Sequence, residues 1–348
     1  MLPLQKFWQA IESVPGAAAV SGEWRSRLGT DYPLIQSMLL LTDEIAATLR
    51  MPDDPYTEYQ VVRHGPSDFV GVRDGGGPTI QLSKVDVLVY RLNHQRVIRE
   101  VASALGFETA NERIDGVPYT FRIGTLQPLA GFSFPVFVTF PLEPADLLHA
   151  VEIMSLQGDT PFIVLAPTSR LRRSACESLL TKRRACFLPL NEAIELGPDG
   201  KWCATNGAKQ RLFAFQTAVV PQLSETDGTV FFPTPPTATW SDLHIKFVDG
   251  ETVSVKIGDV AATFVYSQMG MADGRNAKPT KQWELLRTFA AGFGILTWKS
   301  SGASRDNQKR KEILVRDLKA FFRLDGEPIV YVETTKGWRT AFKIEPDA

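Results

Sequence analysis

Residues 307–323 read NQKRKEILVRDLKAFFR, and this stretch decides the predicted fold of the C-terminal region. Apolar side chains recur three and four positions apart, as in Leu314, Leu318 and Phe322, while the cations fall on the opposite side of the same helix. The spacing predicts a helix over 307–323 with one buried face and one cationic face. Such a helix fits the major groove of DNA, although an ordinary amphipathic helix with a solvated cationic face gives the same pattern.

A predicted β-hairpin follows this helix. Asp325-Gly326 marks a turn, Ile329 to Glu333 has the composition of a strand, and a second strand begins at Trp338 after a short polar tip. Helix and hairpin together predict a winged helix whose cations meet the DNA backbone and the base edges. The residues predicted to bind nucleic acid are Lys309, Arg316, Lys319, Arg323, Lys336 and Arg339.

Two further patterns precede the helix. Residues 243–257 alternate apolar and polar side chains around a turn, which predicts a hairpin, and the run 280–293 places apolar side chains on one face of another helix. These patterns predict a winged-helix domain at 241–348 with a preceding antiparallel sheet. The proline-rich stretch before it is interpreted as a semi-rigid linker at 217–240.

The order of these elements resembles the effector domain of OmpR-type two-component response regulators. The resemblance rests on Pro279-Thr280-Lys281-Gln282-Trp283-Glu284-Leu285-Leu286, on Leu318-Lys319-Ala320-Phe321-Phe322, and on Tyr331-Val332-Glu333-Thr334 with Gly337-Trp338-Arg339. It covers the C-terminal domain alone and implies a DNA-facing second helix and a wing. The DNA contacts that it implies fall on Arg316, Lys319, Lys336 and Arg339. No receiver domain with an acidic pocket is evident upstream, so the resemblance implies no regulation by phosphorylation.

The N-terminal region, residues 1–112, is predicted to be helical or α+β. Helical spacing predicts helices at 4–13, 34–51 and 84–105, and β-rich runs predict short strands at 59–63 and 69–72. Ser83 is expected to cap the third helix, and His94 is interpreted as part of its solvated face.

Residues 113–216 alternate predicted strands and helices, which is typical of a small α/β layer with some parallel pairing. The first two strands form a hairpin, an order that also allows a nuclease-like α/β core. The run FIVLAPTSRL at 162–171 is similar to a strand-turn segment of helicases, but the sequence contains neither a phosphate-binding loop nor a metal-binding acidic pair to accompany it. We therefore interpret this run as a buried strand that ends in a proline turn.

Positive charge is concentrated in two parts of the chain. Residues 275–343 contain 15 Lys and Arg against 7 Asp and Glu, a net charge of +8, so the remainder carries −9 of the total of −1. A local positive surface is what phosphate binding requires. A second basic patch, predicted to contact nucleic acid or an acidic partner, comprises Arg170, Arg172, Arg173, Lys182, Arg183 and Arg184.

The sequence carries no signature of catalysis. Its four histidines are scattered, and it contains no nucleophile elbow, zinc-binding helix or two-metal carboxylate set. Three cysteines without a Cys-x-x-Cys pair favour neither a disulfide framework nor a structural zinc. No catalytic residue, metal or cofactor is therefore predicted.

The predicted fold class is α/β plus winged helix, in a multidomain chain with a helical N-terminal region, a small α/β domain at 113–216 and a C-terminal winged helix. Because the sequence lacks an apolar run of about 18 residues and a signal peptide, we expect a cytoplasmic protein without membrane contact. The predicted function is regulatory binding of duplex DNA. A protein partner or a second copy of the chain is the further partner that we consider. Two alternatives stay open: a protein-interaction or assembly component that docks through the winged helix, and an enzyme that acts on nucleic acid.

Overall fold

The computed structural model describes residues 2–51, 54–73, 75–220, 230–297, 299–300 and 306–347. The chain forms two compact units. Unit 1 comprises residues 1–126 and 134–219, and unit 2 comprises residues 127–133 and 220–348. The predicted linker at 217–240 lies partly outside the described residues. Of its described part, residues 217–219 end a helix of unit 1 and residues 230–240 belong to unit 2.

Both strands and helices are short up to residue 219. The strands are β1 Leu2–Pro3, β2 Ala18–Val20, β3 Leu39–Ile45, β4 Thr48–Met51, β5 Asp54–Arg63, β6 Phe69–Arg73, β7 Ile80–Leu82, β8 Leu88–Leu92, β9 Glu108–Arg113, β10 Thr120–Leu129, β11 Phe132–Thr139, β12 Ile163–Ala166, β13 Cys186–Pro189, β14 Ile194–Leu196 and β15 Trp202–Ala204. The α-helices are α1 Gln5–Ile11, α2 Ser21–Leu28, α3 Tyr32–Ile35, α4 Lys84–Val87, α5 His94–Leu105, α6 Pro144–Leu156, α7 Ser174–Lys182, α8 Leu190–Ala193 and α9 Asn206–Val219.

A five-stranded sheet runs in the order β13-β12-β11-β10-β9. Its β11, β12 and β13 are parallel, and helices α6 and α7 connect them. Every residue of β12 is buried, as expected for a parallel strand at the centre of an α/β layer. The predicted parallel pairing and the predicted buried strand before Pro167 are both confirmed.

Unit 1 also contains three smaller sheets, two of which lie wholly in the N-terminal region. Their orders are β1-β14-β15, β2-β8-β3 and β4-β5-β6-β7. The predicted strands at 59–63 and 69–72 are confirmed as parts of β5 and β6, and the predicted helix at 4–13 is confirmed by α1.

The helices predicted at 34–51 and 84–105 are wrong over much of their length. Residues 39–45 form β3 and residues 88–92 form β8, and these two strands pair with each other, as in Leu39 beside Leu92. Short apolar runs such as 38–41 satisfy helical and strand patterns alike, and the pairing joins segments about fifty positions apart, which a local pattern does not reveal. Within the predicted helix at 84–105, only the single turn of α4 and the helix α5 are helical.

The described part of unit 2 contains two sheets and two α-helices. The strands are β16 Leu243–Phe247, β17 Thr252–Ile257, β18 Val260–Val265, β19 Ile295–Thr297, β20 Ile329–Val332, β21 Gly337–Thr340 and β22 Lys343–Glu345, and the helices are α10 Lys281–Ala291 and α11 Asn307–Phe322. One sheet runs β18-β17-β16-β22 and the other β19-β21-β20. Leu286 of α10, Leu318 of α11, Val255 of β17 and Ile329 of β20 belong to one core cluster.

The predicted fold class, α/β plus winged helix behind a helical N-terminal region, is wrong. The described chain is a mixed α/β structure dominated by sheets in both units. In unit 2 the predicted second hairpin strand breaks into β21 and β22, and β22 pairs in parallel with β16, as in Ile344 beside Ile245. The alternation of apolar residues around Phe342 fits one continuous strand, so the break and the change of sheet were not foreseen.

In the described part of the chain, no helix combines the length and the apolar composition needed to cross a bilayer.

Candidate nucleic-acid interface

Helix α11 separates its side chains as the sequence predicts. Leu314, Leu318, Phe321 and Phe322 are buried in the core of unit 2. The phenyl rings of Phe321 and Phe322 also contact each other and further aromatic rings of this core. The helix is therefore fixed by one face, and its cations lie on the other.

Two of the predicted cations of α11 pair with acidic side chains. The Arg316 guanidinium contacts Asp317 at 3.0 Å, and Lys319 Nζ donates to Glu327 Oε1 at 2.6 Å. The bond from Lys319 lowers the pKa of Glu327, whereas burial raises the pKa of Asp317 against the opposing effect of Arg316. Arg316 is 74% exposed and Lys319 38% exposed, so both cations remain in contact with solvent.

Arg323 occupies a different environment. Its guanidinium donates from Nε to the Ala130 carbonyl at 2.9 Å and from a terminal nitrogen to the Phe232 carbonyl at 3.0 Å. The guanidinium carbon lies 3.7 Å from the ring centre of Phe231 and 4.5 Å from that of Phe132. Burial lowers the pKa of Arg323 to about 10. This side chain therefore joins three segments of unit 2 and is directed away from the cationic face.

The remaining predicted residues are exposed to solvent. Lys309 lies in the first turns of α11, Lys336 in the turn between β20 and β21, and Arg339 on β21. Within the described ranges none of the three forms an ion pair, in contrast to Arg316 and Lys319. The backbone of Lys336 has φ of 45°, a left-handed conformation that the tight turn imposes.

Arg339 lies on an open face of the β19-β21-β20 sheet. It stands beside Ile295 on one neighbouring strand and Val330 on the other. These two apolar side chains are 43% and 41% exposed, and Phe293, which precedes β19, is 71% exposed. The hairpin thus presents one cation within a small apolar patch.

The second predicted basic patch is largely engaged inside unit 1. Arg170 pairs with Glu12, Arg172 pairs with Glu177 and lies over the Phe187 ring, and Arg183 pairs with Asp159. Arg184 donates to the Ala218 carbonyl. Arg173 and Lys182 are exposed without an ion pair among the described residues.

Sequence reasoning missed the partners of Arg170 and Arg323. Glu12 lies 158 positions from Arg170, and Ala130 lies 193 positions from Arg323. No local pattern links positions so far apart. The one available signal was Glu12 itself, a charged residue that directly follows the apolar pair Ala10-Ile11 at the end of α1.

The described residues contain no group of three or more His, Cys, Asp and Glu side chains that could hold a metal ion. Comparisons with known protein families, with characterised proteins and with solved structures found no match. The resemblance to response-regulator effector domains therefore stays a prediction.

Proposed function

We propose that the protein binds duplex DNA through unit 2, with the solvent side of α11 and the β20–β21 hairpin facing the sugar-phosphate backbone. One observation carries this proposal. Lys309, Lys336 and Arg339 are exposed and lack an acidic partner among the described residues, on two elements whose apolar sides enter the same core. A cation without a protein partner binds phosphate without first losing an ion pair.

Arg316 and Lys319, which form ion pairs, extend this surface at a small cost in free energy. Exposed ion pairs contribute about 0–1 kcal/mol, so Arg316 and Lys319 can exchange Asp317 and Glu327 for phosphate oxygens. The excess of cations over acids at 275–343 supports the same proposal, because phosphate binding depends on local charge. Arg323 is left out, since its donors are already used within unit 2. A role on DNA agrees with the cytoplasmic location that we predict.

Salt-dependent binding of the full-length chain tests the proposal. We expect the affinity for a mixed-sequence duplex, measured by fluorescence anisotropy, to fall linearly with the logarithm of the salt concentration. The changes Lys309→Ala, Lys336→Ala and Arg339→Ala should each reduce the slope by about one unit, because each removes one phosphate contact.

A charge-matched triple variant separates local contacts from total charge. Lys201→Ala, Lys256→Ala and Lys281→Ala together remove three exposed lysines outside the proposed surface. This variant should keep the slope of the unmodified protein. The proposal is wrong if this variant and a triple variant that combines Lys309→Ala, Lys336→Ala and Arg339→Ala bind alike, or if the unmodified chain binds duplex with no dependence on salt.

A second candidate function is docking to a protein, and the exposed apolar residues around Arg339 favour it. A second copy of the chain is the partner to test first. Sedimentation equilibrium should then show a dimer that Val330→Glu converts to a monomer. A monomer at all concentrations would remove this candidate.

A further inference from the structure

A pocket of about 280 Å³ lies in unit 1, where β11 ends and α6 begins. Tyr119, Phe140, Pro118 and Pro141 supply apolar walls, and Asp146 and His149 contribute polar groups. In α/β layers the carboxyl end of a parallel strand, next to a helix N-terminus, is the usual position of a ligand. β11 is such a strand, since it pairs in parallel with β12.

The aromatic wall is held in a defined conformation. Tyr119 has φ of 51°, which is unusual for a bulky residue, and its carbonyl accepts a bond from the Phe140 N–H at 3.1 Å. The His94 ring stacks on Tyr119 at 5.3 Å and meets Phe140 edge-on at 5.2 Å. A backbone conformation of this kind persists only where its surroundings impose it, and such conformations concentrate at binding sites.

The polar side of the pocket carries one carboxylate, that of the exposed Asp146. Asp146 Oδ2 accepts bonds from the backbone N–H groups of Leu142 and Glu143 at 3.1 and 3.0 Å, whereas its Oδ1 has no hydrogen bond to any described residue. His149 lies 3.8 Å from Glu152, and the residues that line the pocket include no Lys or Arg. A carboxylate oxygen at the mouth of an apolar pocket favours a ligand with a positive charge.

We infer that this pocket binds a small amine carried on an apolar ring, with the ring against Tyr119 and Phe140 and the ammonium group at Asp146 Oδ1. A pocket of this size accommodates a single ring with a short side chain. The site belongs to unit 1 and does not depend on DNA binding by unit 2.

Three ligands that share a phenyl ring and differ in charge test the charge preference. Titration calorimetry of the full-length protein would compare 2-phenylethylamine with the neutral 2-phenylethanol and the anionic 3-phenylpropionate. We expect the amine to bind with a Kd of about 1 mM or below, at least about tenfold tighter than the alcohol. The acid should bind more weakly than either. Equal binding of all three, or no binding of the amine at about ten times that concentration, would overturn the inference.

Variants locate the site. Asp146→Asn keeps an oxygen that can accept the two backbone bonds of the helix start but removes the charge, so it should abolish the preference for the amine over the alcohol. Leu142→Trp should fill the pocket and weaken both ligands, and it provides a test that does not involve the helix cap. Asp159→Asn removes an equivalent charge at a fully exposed position beyond the other end of α6 and should change nothing. Amine binding that survives both pocket changes would place the site elsewhere and refute the assignment.

Discussion

His94 shows how the surroundings of one side chain change its chemistry. Its ring packs against Tyr119, Phe121 and Phe140, and Nε2 is buried without a hydrogen bond to the described residues. Burial, assisted by the nearby Arg91, lowers the pKa of His94 to about 4. The imidazole is therefore neutral in the folded protein at pH 7.

This shift predicts a specific contribution to acid sensitivity. In the unfolded chain His94 takes up its proton near pH 6.5, whereas the folded protein resists protonation down to about pH 4. The contribution of His94 to stability is therefore complete above pH 6.5 and is lost as the pH falls toward 4. The unmodified protein loses unfolding free energy as the pH falls through this window. We expect this loss to be about 2 kcal/mol smaller in His94→Phe, which carries no titrating group at this position.

Urea unfolding at pH 7.5 and pH 4.5 measures the effect. His64→Gln is the matched control, because His64 is an exposed histidine of the same unit. The explanation fails if His94→Phe loses as much stability between these pH values as the unmodified protein and His64→Gln do. The sequence interpretation placed His94 on a solvated face and was wrong, since the rings around it come from residues 119–140, which the local helical pattern does not contain.

At the scale of elements, Glu12 connects the end of α1 to the turn that follows β12. Its carboxylate, 1% exposed, accepts bonds from the backbone N–H of Thr168 at 2.9 Å, from the Thr168 hydroxyl at 2.8 Å and from Arg170 Nε at 3.2 Å. A buried carboxylate is tolerated because each of these donors satisfies it.

Removing this carboxylate should weaken unit 1 strongly. We expect Glu12→Ala to lower the free energy of unfolding by about 3–5 kcal/mol, because the Thr168 N–H and hydroxyl lose their acceptor in a buried position. Glu12→Gln keeps one acceptor oxygen and should cost less.

The control is Glu23→Ala, which breaks an exposed pair with Arg27 and should cost under about 1 kcal/mol. Chemical denaturation of the three variants decides the question. Equal effects of Glu12→Ala and Glu23→Ala would show that the buried contact contributes little.

Elements were predictable where their own pattern was unambiguous. β12 and β13 are short apolar strands bounded by turns, α6 begins at a proline, and α11 has a clean apolar stripe. β3 and β8 were missed because their apolar runs fit a helix equally well, and only pairing between them selects the strand. The same limit applies to β22, whose assignment to the β16 sheet depends on a strand about a hundred positions away.

At the scale of the whole molecule, unit 2 is assembled from two separate parts of the chain. The 127–133 turn contributes the Ala130 carbonyl and the Phe132 ring to Arg323, and the Ala130 N–H donates to the Thr234 carbonyl at 2.9 Å. Gly131 in this turn has φ of 76°, and a Cβ there would meet Arg323 Cδ at 2.7 Å. The close approach requires glycine.

This arrangement predicts coupled effects of Arg323→Ala and Gly131→Ala. We expect Arg323→Ala to destabilise unit 2 by about 2–4 kcal/mol, since it removes two charged hydrogen bonds and the contacts with two rings. Gly131→Ala should be costly alone and cheaper in the Arg323→Ala background, where the clash with Arg323 Cδ is gone and the backbone penalty of about 1–2 kcal/mol remains beside a close contact with Cβ of residue 323.

Hydrogen exchange of the amides at 230–232, 234 and 314–322 measures the stability of unit 2 in the single and double variants. The amides of β12 serve as an internal control, because they belong to unit 1 and should keep their protection. Strictly additive effects of the two changes would argue against direct coupling between Arg323 and the turn.

Because unit 2 is built from two separate segments of the chain, its parts are synthesised at different times. Ala130 leaves the ribosome 193 residues before Arg323, which at about 5–20 residues per second is a delay of about 10–40 s. During that interval the 127–133 turn has been made, but the guanidinium that holds it has not. Formation of unit 2 must therefore wait for translation to pass α11, and a gene fragment that starts at codon 220 would encode a unit that lacks its own turn.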